Sequence, residues 1–166
     1  MAQLAQANAF RPRAPWGDPV MREFVLALDP VNALAEASPG FVWRLHPGEG
    51  HGAVVVENGA APVLVNVSVW TGYPALHEFA YRSAHAEYLR SRSRWFEPVT
   101  QPAAVLWWVP DGDRPTAAQA ITRLRYLQRY GPGPRAFGMR ARFEACLLYT
   151  SPSPRDRTRS RMPSSA

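Results

Sequence analysis

The stretch Pro62-Val-Leu-Val-Asn-Val-Ser-Val-Trp70 carries the clearest strand pattern in the chain. Successive side chains of a β-strand point to opposite faces of its sheet. One face of this strand therefore holds only valines, at positions 63, 65, 67 and 69, while the other holds Leu64, Asn66, Ser68 and Trp70. A row of four valines is too apolar to stay in water, so the pattern predicts a sheet that is covered on its valine side.

Upstream of this strand, apolar spacing and turn residues divide the chain into four segments. They are a strand at 3–9, a helix at 18–40, a strand at 41–46 and a long hairpin connection at 47–61, which is rich in Gly and Pro. Asp18 followed by Pro19 is typical of a helix start. Pro30 lacks the backbone N–H that a helix interior needs, so we expect a kink or a break there.

Downstream, the same reasoning predicts two helices and two strands. They are a long helix from Thr71 to about Phe96, a strand at 103–109, a helix that ends at Gly131 and a last strand at 136–143. Thr71 is expected to cap the first of these helices. Thr116 and Gln119 have the spacing of a capping box at the start of the second.

The predicted order of elements is β-α-β-β-α-β followed by α-β. Its first six elements have the ferredoxin-like split βαβ arrangement, so we expect an α+β domain with a four-stranded sheet. Helices on one side would leave the opposite side of the sheet bare. The valine row then needs a second sheet to cover it, most simply from another copy of the chain in a symmetric homodimer.

Composition restricts the class of protein. The chain has 166 residues, 46% of them hydrophobic, which is enough for one domain with a sizeable core. All 19 basic residues are Arg, and without residues 146–166 the chain has 15 Arg against 12 acidic residues. This modest excess argues against a nucleic-acid partner. No apolar run approaches about 18 residues and no secretory signal begins the chain, so we expect a cytoplasmic protein with no membrane partner.

Residues 146–166 have no periodicity and resemble a translated sequencing adapter. We interpret them as a non-native, disordered tail, and residues 1–145 as the single native domain. The alternative is a native disordered tail that is basic and rich in Ser and Pro. Cys146 is the single Cys of the chain, which excludes a disulfide framework and a Cys-based zinc site.

Five stretches of the chain are specific enough to compare with known families. They are NVSVW at 66–70, ALHEFAYRSAHAEYLRSRSRWF at 75–96, ALAEASPGFVWRL at 33–45, LWWVPDGDRPT at 106–116 and GPGPRAF at 131–137. In these stretches the chain resembles a bacterial family called domain of unknown function 3291, over nearly all of residues 3–143. That family is similar in layout to the dimeric α+β barrel superfamily, which includes antibiotic-biosynthesis monooxygenases. The resemblance implies a homodimer with a pocket between the sheet and the helices of each protomer.

The candidate catalytic residues are His85 and Tyr81, which are one helical turn apart and can meet. A His in an apolar cavity can move protons or hold a substrate oxygen. The residues expected to bind substrate beside them are Asn66, Ser68, Trp43, Trp70, Trp107 and Arg82. We expect a small-molecule ligand, apolar or aromatic, and no cofactor. The resemblance implies a cofactor-independent oxygenase, in which the substrate itself supplies the electrons to oxygen.

Each of these residues has an alternative, structural role. His85 would then bond to the backbone, Asn66 and Ser68 would form a hydrogen-bonded pair, the tryptophans would fill the core and Arg82 would point to water. The chain would then be a non-catalytic binding or scaffold homodimer. A third hypothesis is haem binding with His85 as the axial ligand. A metal site is not expected, because about 12 Å of helical rise separates His77 from His85.

Overall fold

The computed structural model describes residues 1–46, 54–58 and 61–145. The strands are β1 (Ala2–Phe10), β2 (Phe41–Arg44), β3 (Val54–Asn58), β4 (Ala61–Trp70) and β5 (Ala104–Pro110). The helices are α1 (Arg22–Glu36), α2 (Tyr73–Arg82), α3 (His85–Ser91) and α4 (Ala117–Tyr130), with 3₁₀ turns at Pro19–Met21 and Arg92–Arg94. Within the described ranges no helix combines the length and the apolar character that crossing a bilayer requires.

The strands form one antiparallel sheet in the order β2-β4-β1-β5. β3 pairs with the first half of β4, and β2 pairs with its second half. β1 is central, because Asn8 lies opposite Asn66 of β4 on one side and opposite Ala104 of β5 on the other. This is the strand order of the split βαβ arrangement, with β2 and β3 sharing one edge of β4. The predicted α+β, ferredoxin-like fold is therefore confirmed.

The last helix, α4, covers the valine face of the sheet. The four valines of β4 are each no more than 7% exposed, and they share one core with the apolar residues of α4, namely Ala120, Ile121, Leu124 and Leu127. The prediction that this face is buried is confirmed. A second copy of the chain, which was expected to cover this face, is not needed for that purpose, because the chain covers the face with its own helix α4.

The opposite face of the sheet packs against α1 and α2. Leu4 and Trp70 from the sheet share a core with Ala35 of α1 and Leu76 of α2. Helices on both faces make three layers. The polar side chains of β1 and β4 that share a face with Leu4 and Trp70 therefore lie between layers, where they border the cavities described below.

The predicted start at Asp18 caps the 3₁₀ turn Pro19–Met21, which leads directly into α1. Helix α1 then runs through Pro30 without a break. The Asp18 carboxylate accepts a hydrogen bond from the backbone N–H of Val20 at 2.9 Å. A residue with an N–H at position 30 would donate to the carbonyl of Leu26, and both residues lie on the exposed side of the helix. Water can hydrate that carbonyl, so the missing hydrogen bond does not end the helix.

The single helix predicted over 71–96 is two helices. α2 ends at Arg82, and Ser83 is extended, with φ −95° and ψ 176°, before α3 begins at His85. The Ser83 hydroxyl donates to the carbonyl of Phe79 and accepts from the backbone N–H of His85 at 3.2 Å. A serine hydroxyl that bonds to the main chain offers the backbone an alternative to the helical ladder, which accounts for the break.

Two boundary predictions are also corrected by local hydrogen bonding. The predicted connection at 47–61 contains β3, a run rich in β-branched valines that pairs with β4. The rest of this connection, residues 47–53 and 59–60, lies outside the described residues. α2 starts after Gly72, and its N-cap makes no side-chain hydrogen bond, so Thr71 does not cap it.

The strand predicted at 136–143 is reduced to two isolated bridges, one between Ala136 and Gly133 and one between Phe137 and Leu106. Phe137 exchanges two backbone hydrogen bonds with Leu106 of β5, at 2.7 and 2.9 Å, and the chain then turns away. Side chains hold the segment instead: the Tyr73 hydroxyl donates to the Met139 carbonyl at 3.1 Å, and the Trp108 indole donates to the Phe143 carbonyl at 2.6 Å. Gly138 and Met139 thereby come to border the candidate site.

The signals at the ends of α4 are confirmed. The Thr116 hydroxyl accepts from the backbone N–H of Gln119 at 3.2 Å, and the Gln119 side chain accepts from the backbone N–H of Thr116 at 2.8 Å. Gly131 ends the helix with φ 77°. Residues 146–166 lie outside the described residues, so the interpretation of this tail and of the 1–145 domain stays a prediction.

Gly40 connects the end of α1 to β2 at a position that accepts no side chain. Its φ is +80°, and a Cβ there would lie 2.5 Å from the Ala75 Cβ and 2.6 Å from the Thr71 Oγ1. We expect Gly40→Ala to lower the free energy of unfolding by about 3 kcal/mol, from backbone strain plus overlap. The control is Gly112→Ala, at φ +82° with open space around it, which should cost only about 1 kcal/mol. Equal losses in urea titrations of the two variants would contradict this assignment.

Candidate functional site

Two adjoining cavities lie between the sheet and the helices α1 and α3. Their volumes are about 120 and about 100 Å³. They share seven bordering residues, namely Asn8, Phe10, Val31, Asn32, Asn66, His85 and Leu89. A dry cavity of about 150 Å³ holds benzene, so each space is close to the size of one aromatic ring. Both are smaller than the roughly 300 Å³ at the low end of ligand pockets, and neither has room for the haem macrocycle of the third hypothesis.

Two amide side chains form the polar part of the cavity floor. Asn8 of β1 and Asn66 of β4 lie directly opposite each other in the antiparallel register, and both border both cavities. Both are half-buried, and neither side chain makes a hydrogen bond with any residue that the structure describes. An amide carries two donors and one acceptor. This pair can therefore hold an oxygen atom of a ligand.

Ser68 serves a neighbouring aromatic ring. Its hydroxyl accepts from the Trp70 indole N–H at 2.9 Å and donates to the Gln6 side-chain oxygen at 3.0 Å. The Trp70 ring, fully buried, stacks on Phe79 with centroids 5.1 Å apart and meets Phe41 edge-on at 5.4 Å. Ser68 borders the larger cavity, but its hydrogen bonds hold Trp70 in place. The role of Ser68 is therefore structural, but its partners are Gln6 and Trp70 and not Asn66, with which the alternative interpretation paired it.

His85 borders both cavities at the start of α3. Its imidazole stacks on the Phe79 ring with centroids 4.7 Å apart. Its Nδ1 lies 3.5 Å from the carbonyl oxygen of Ala80. Because a carbonyl can only accept, this contact favours the tautomer that carries its proton on Nδ1 and leaves Nε2 as the acceptor.

Burial keeps the His85 ring uncharged. Desolvation lowers the pKa of His85 below its usual 6.5, and the contact with the Ala80 carbonyl opposes this only in part. A neutral imidazole at pH 7 is able to take a proton, although a lowered pKa makes it a weaker base. Among the described residues, the site therefore places one base, His85, beside the amides of Asn8 and Asn66 and an aromatic wall.

Tyr81 and Arg82 do not join His85. The Ser83 break turns His85 away from the helical position that would place it one turn above Tyr81. Tyr81 is 51% exposed and its ring neighbour is His77 at 5.0 Å, although it still borders the larger cavity. Arg82 is exposed and forms an ion pair with Glu78 at 3.7 Å, outside both cavities.

Trp43 and Trp107 lie on the far side of the sheet. Trp107 is opposite Ala5 and belongs to the core beneath α4, at 3% exposure. Trp43 packs against the same core and lies under the Arg114 guanidinium at 5.7 Å. Of the three tryptophans expected in the cavity, only Trp70 borders it, because strand alternation places the other two on the valine face.

Most of the bordering residues were not among the expected site residues, and four of them have polar or aromatic side chains that bear on the site. Strand β1 supplies two of these four. Gln6 and Asn8 are polar residues on one face of a strand whose other face carries alanines. That alternation was the available signal for them. Phe79 and Arg44 also border the larger cavity, but their positions follow from the Ser83 break and from the register of β2, which the sequence does not display.

An open groove of about 800 Å³ adjoins the larger cavity. It shares five bordering residues with it, namely Phe10, Ala80, Tyr81, Leu89 and Ala104. Arg90, Arg92 and Arg140 also border this groove. The groove and the larger cavity are therefore neighbouring spaces that share part of their walls. In the part of the chain that the structure describes, no three His, Cys, Asp or Glu side chains lie close enough to share a metal ion.

A comparison with protein families gives a match over most of the chain. Domain of unknown function 3291 (DUF3291) matches residues 3–150. The chain belongs to the DUF3291 family. The match reaches five residues into the segment interpreted as a non-native tail. No curated protein matches the chain significantly.

Solved structures with distant likeness to this DUF3291 protein include three from bacteria. NE2512, a protein of unknown function from Nitrosomonas europaea, is 13% identical, with a TM-score of 0.45, over 70% of this chain and 98% of its own. SnoaB, a cofactor-independent oxygenase from Streptomyces nogalater, is 17% identical, with a TM-score of 0.42, over 70% and 98%. A monooxygenase from the gene ActVA-Orf6 of Streptomyces coelicolor, in complex with nanaomycin D, is 18% identical, with a TM-score of 0.43, over 69% and 94%.

The lowered pKa of His85 makes stability depend on pH in a defined direction. The unfolded chain takes up a proton at the ordinary pKa of about 6.5, whereas folded His85 takes one up only at lower pH. Between these two values the unfolded state holds more protons, so the free energy of unfolding falls as the pH drops below about 6.5. His85→Gln should remove this part of the dependence. An NMR titration of the ring protons measures the pKa directly, and a value of 6.5 or higher would contradict burial of the neutral ring.

Ser68→Ala should leave the buried Trp70 indole N–H without an acceptor. We expect a loss of about 1–3 kcal/mol in the free energy of unfolding, measured in urea, because an unpaired buried donor keeps its full desolvation cost. Ser93→Ala, on the exposed turn after α3, is the control and should stay within about 0.5 kcal/mol of the parent. Equal stability of the two variants would show that the Ser68 bonds contribute nothing.

Proposed function

We propose that this DUF3291 protein binds a small aromatic hydroxy compound and oxidises it with molecular oxygen, without a cofactor. The observation that carries the proposal is a neutral imidazole, His85, bordering an aromatic-walled cavity in which the amides of Asn8 and Asn66 have no described partner. Proton removal from a phenol and stabilisation of the resulting oxygen anion need these two kinds of group.

The aromatic rings of the cavity bind the substrate ring. Trp70, Phe79 and Phe41 border the larger cavity, and the Ser68 hydroxyl fixes the Trp70 ring. Stacked and edge-on contacts favour a flat aromatic ligand over a flexible chain. Tyr81, half-exposed where groove and cavity meet, contacts the substrate on entry and does not move the proton.

His85 then accepts the phenolic proton at Nε2, and the amide N–H groups of Asn8 and Asn66 stabilise the phenolate oxygen. The phenolate ring supplies electrons to molecular oxygen, and a carbon–oxygen bond forms para to the phenolate oxygen. His85 returns its proton to the outer peroxide oxygen. The ring carbon then loses its hydrogen as a proton, and the oxygen–oxygen bond breaks. One oxygen atom stays in the para-quinone and the other leaves as water, so a phenol and one oxygen molecule yield a quinone and one water.

A second candidate function is binding without catalysis. The observation that favours it is the lowered pKa of His85, because a weaker base transfers the proton of a phenol less readily. In that case the same cavity stores or senses an aromatic metabolite. Tight binding with no oxygen uptake is the outcome that would select this function over the first.

The test is aerobic oxidation of α-naphthol by protein freed of metals, flavin and haem. We expect the para-quinone to form with uptake of one oxygen molecule per product, followed by absorbance and an oxygen electrode. His85→Gln should lower the rate at least about a hundredfold, since it removes the general base. His77→Gln is the matched control, because His77 stacks on Tyr73 and Tyr81 outside both cavities, and it should keep the parent rate.

An unchanged rate in His85→Gln would overturn the catalytic role of His85. Absence of oxygen uptake in the parent protein would overturn the oxygenase proposal as a whole. Circular dichroism spectra of both variants show whether a lower rate results from loss of the catalytic group or from unfolding of the protein.

The homodimer implied by the family resemblance stays a prediction. A dimer was expected from the sequence because the predicted helices left the valine face of the sheet uncovered. In the structure α4 packs on that face. A dimer that pairs sheets through the valines would have to displace α4, so any pairing that keeps α4 in place must use another surface.

A further inference from the structure

Arg44 borders the larger cavity at the end of β2. It lies opposite Ser68 of β4 in the sheet register. Its neighbour Trp43 packs on the valine face, so alternation along the strand directs Arg44 to the cavity face. No sequence motif drew attention to this residue, and the oxidation steps above do not use it.

The Arg44 guanidinium is held on one side only. Its Nε donates to the Glu36 carboxylate, in the last turn of α1, at 2.6 Å. The Arg44 side chain is 15% exposed, against 43% for Glu36. The Glu36 carboxylate is therefore the solvent-exposed partner of the pair, and Arg44 is the more buried one.

One guanidinium nitrogen of Arg44 is buried without a partner among the described residues. Nη1 of Arg44 is buried and makes no hydrogen bond with any described residue. An unpaired buried donor is unfavourable, more so on a charged group, and such donors are rare in folded proteins. Two other arginines with an ion pair show the usual pattern: Arg82 and Arg94 place their nitrogens against Glu78 and Glu23 at the exposed surface.

Charge decides which ligand group suits this nitrogen. Glu36 already balances the Arg44 charge, and none of the described Asp or Glu residues borders the larger cavity. A carboxylate from a ligand would therefore add an unbalanced negative charge to a half-buried site. A carbonyl oxygen accepts the same hydrogen bond without adding charge.

We propose that Arg44 is a substrate-binding residue that donates from Nη1 to a carbonyl oxygen of the ligand. This assignment rests on the proposed function and narrows its substrate class to an aromatic compound with both a hydroxyl and a ketone oxygen. The hydroxyl lies at His85, which borders both cavities, and the ketone lies at Arg44, which borders only the larger one. Arg44 thereby selects which of two oxygen atoms faces the base.

The test compares two probes that differ in one group. They are a hydroxytetralone and the hydroxytetralin that lacks only its ketone oxygen, with dissociation constants measured by calorimetry. We expect the parent protein to bind the ketone about tenfold more tightly, as for one hydrogen bond to a charged donor. Arg44→Lys keeps the charge beside Glu36 and removes Nη1, so it should weaken ketone binding about tenfold and leave the tetralin unchanged.

Arg94→Lys is the matched control, since Arg94 pairs with Glu23 at 3.2 Å on the surface; it should keep the ketone preference. Glu36→Gln provides a second variant that does not depend on the folding of Arg44→Lys. It leaves the Arg44 charge unbalanced, so a hydroxytetralin carboxylate should bind this variant at least about tenfold more tightly than it binds the parent.

Equal binding of ketone and tetralin by the parent would overturn the assignment, as would a ketone preference that survives Arg44→Lys or failure of both probes to bind. The outcome is separate from that of the oxygenase test. A ketone preference lost in Arg44→Lys, with no oxidation of α-naphthol, would support Arg44 and reject the oxygenase. Oxidation of α-naphthol that depends on His85, without a preference for the ketone, would support the oxygenase and reject the role of Arg44.

Discussion

The antiparallel register between β1 and β4 is the constraint on which the rest of the structure depends. It places Gln6 opposite Ser68 and Asn8 opposite Asn66, so that polar side chains share one face while the valines share the other. A shift of one residue would exchange the two faces. The amides would then lie against the apolar residues of α4 without partners, and the valines would fill the space that the cavities occupy.

Alternation and capping signals were enough to predict the fold, but they did not predict which helix covers which face of the sheet. The valine row of β4 and the Thr116–Gln119 box depend on neighbouring residues only, and both were predicted. The role of α4 was not, because an amphipathic helix at the end of a chain can pack on either face of a sheet. The Ser83 break was also missed, since it depends on hydrogen bonds of one hydroxyl that compete with an otherwise helical pattern.

The same break explains which site residues could be found in advance. Asn66, Ser68 and Trp70 lie on one strand face, so their common orientation follows from a period of two. His85 was expected beside Tyr81 on a continuous helix; the interruption at Ser83 instead stacks its ring on Phe79 and sets Nδ1 toward the Ala80 carbonyl. Helix periodicity fails at this point, and the geometry that leaves Nε2 as a proton acceptor is a consequence of tertiary packing.

The proposed function places an aromatic ligand between His85 and the amides of Asn8 and Asn66. Intermolecular nuclear Overhauser effects from bound α-naphthol to the protein locate the ligand without relying on turnover. We expect contacts to the ring protons of His85 and Phe79 and to the side-chain amide protons of Asn66. Contacts to Trp43 or to the α4 face, with none to His85, would contradict this placement.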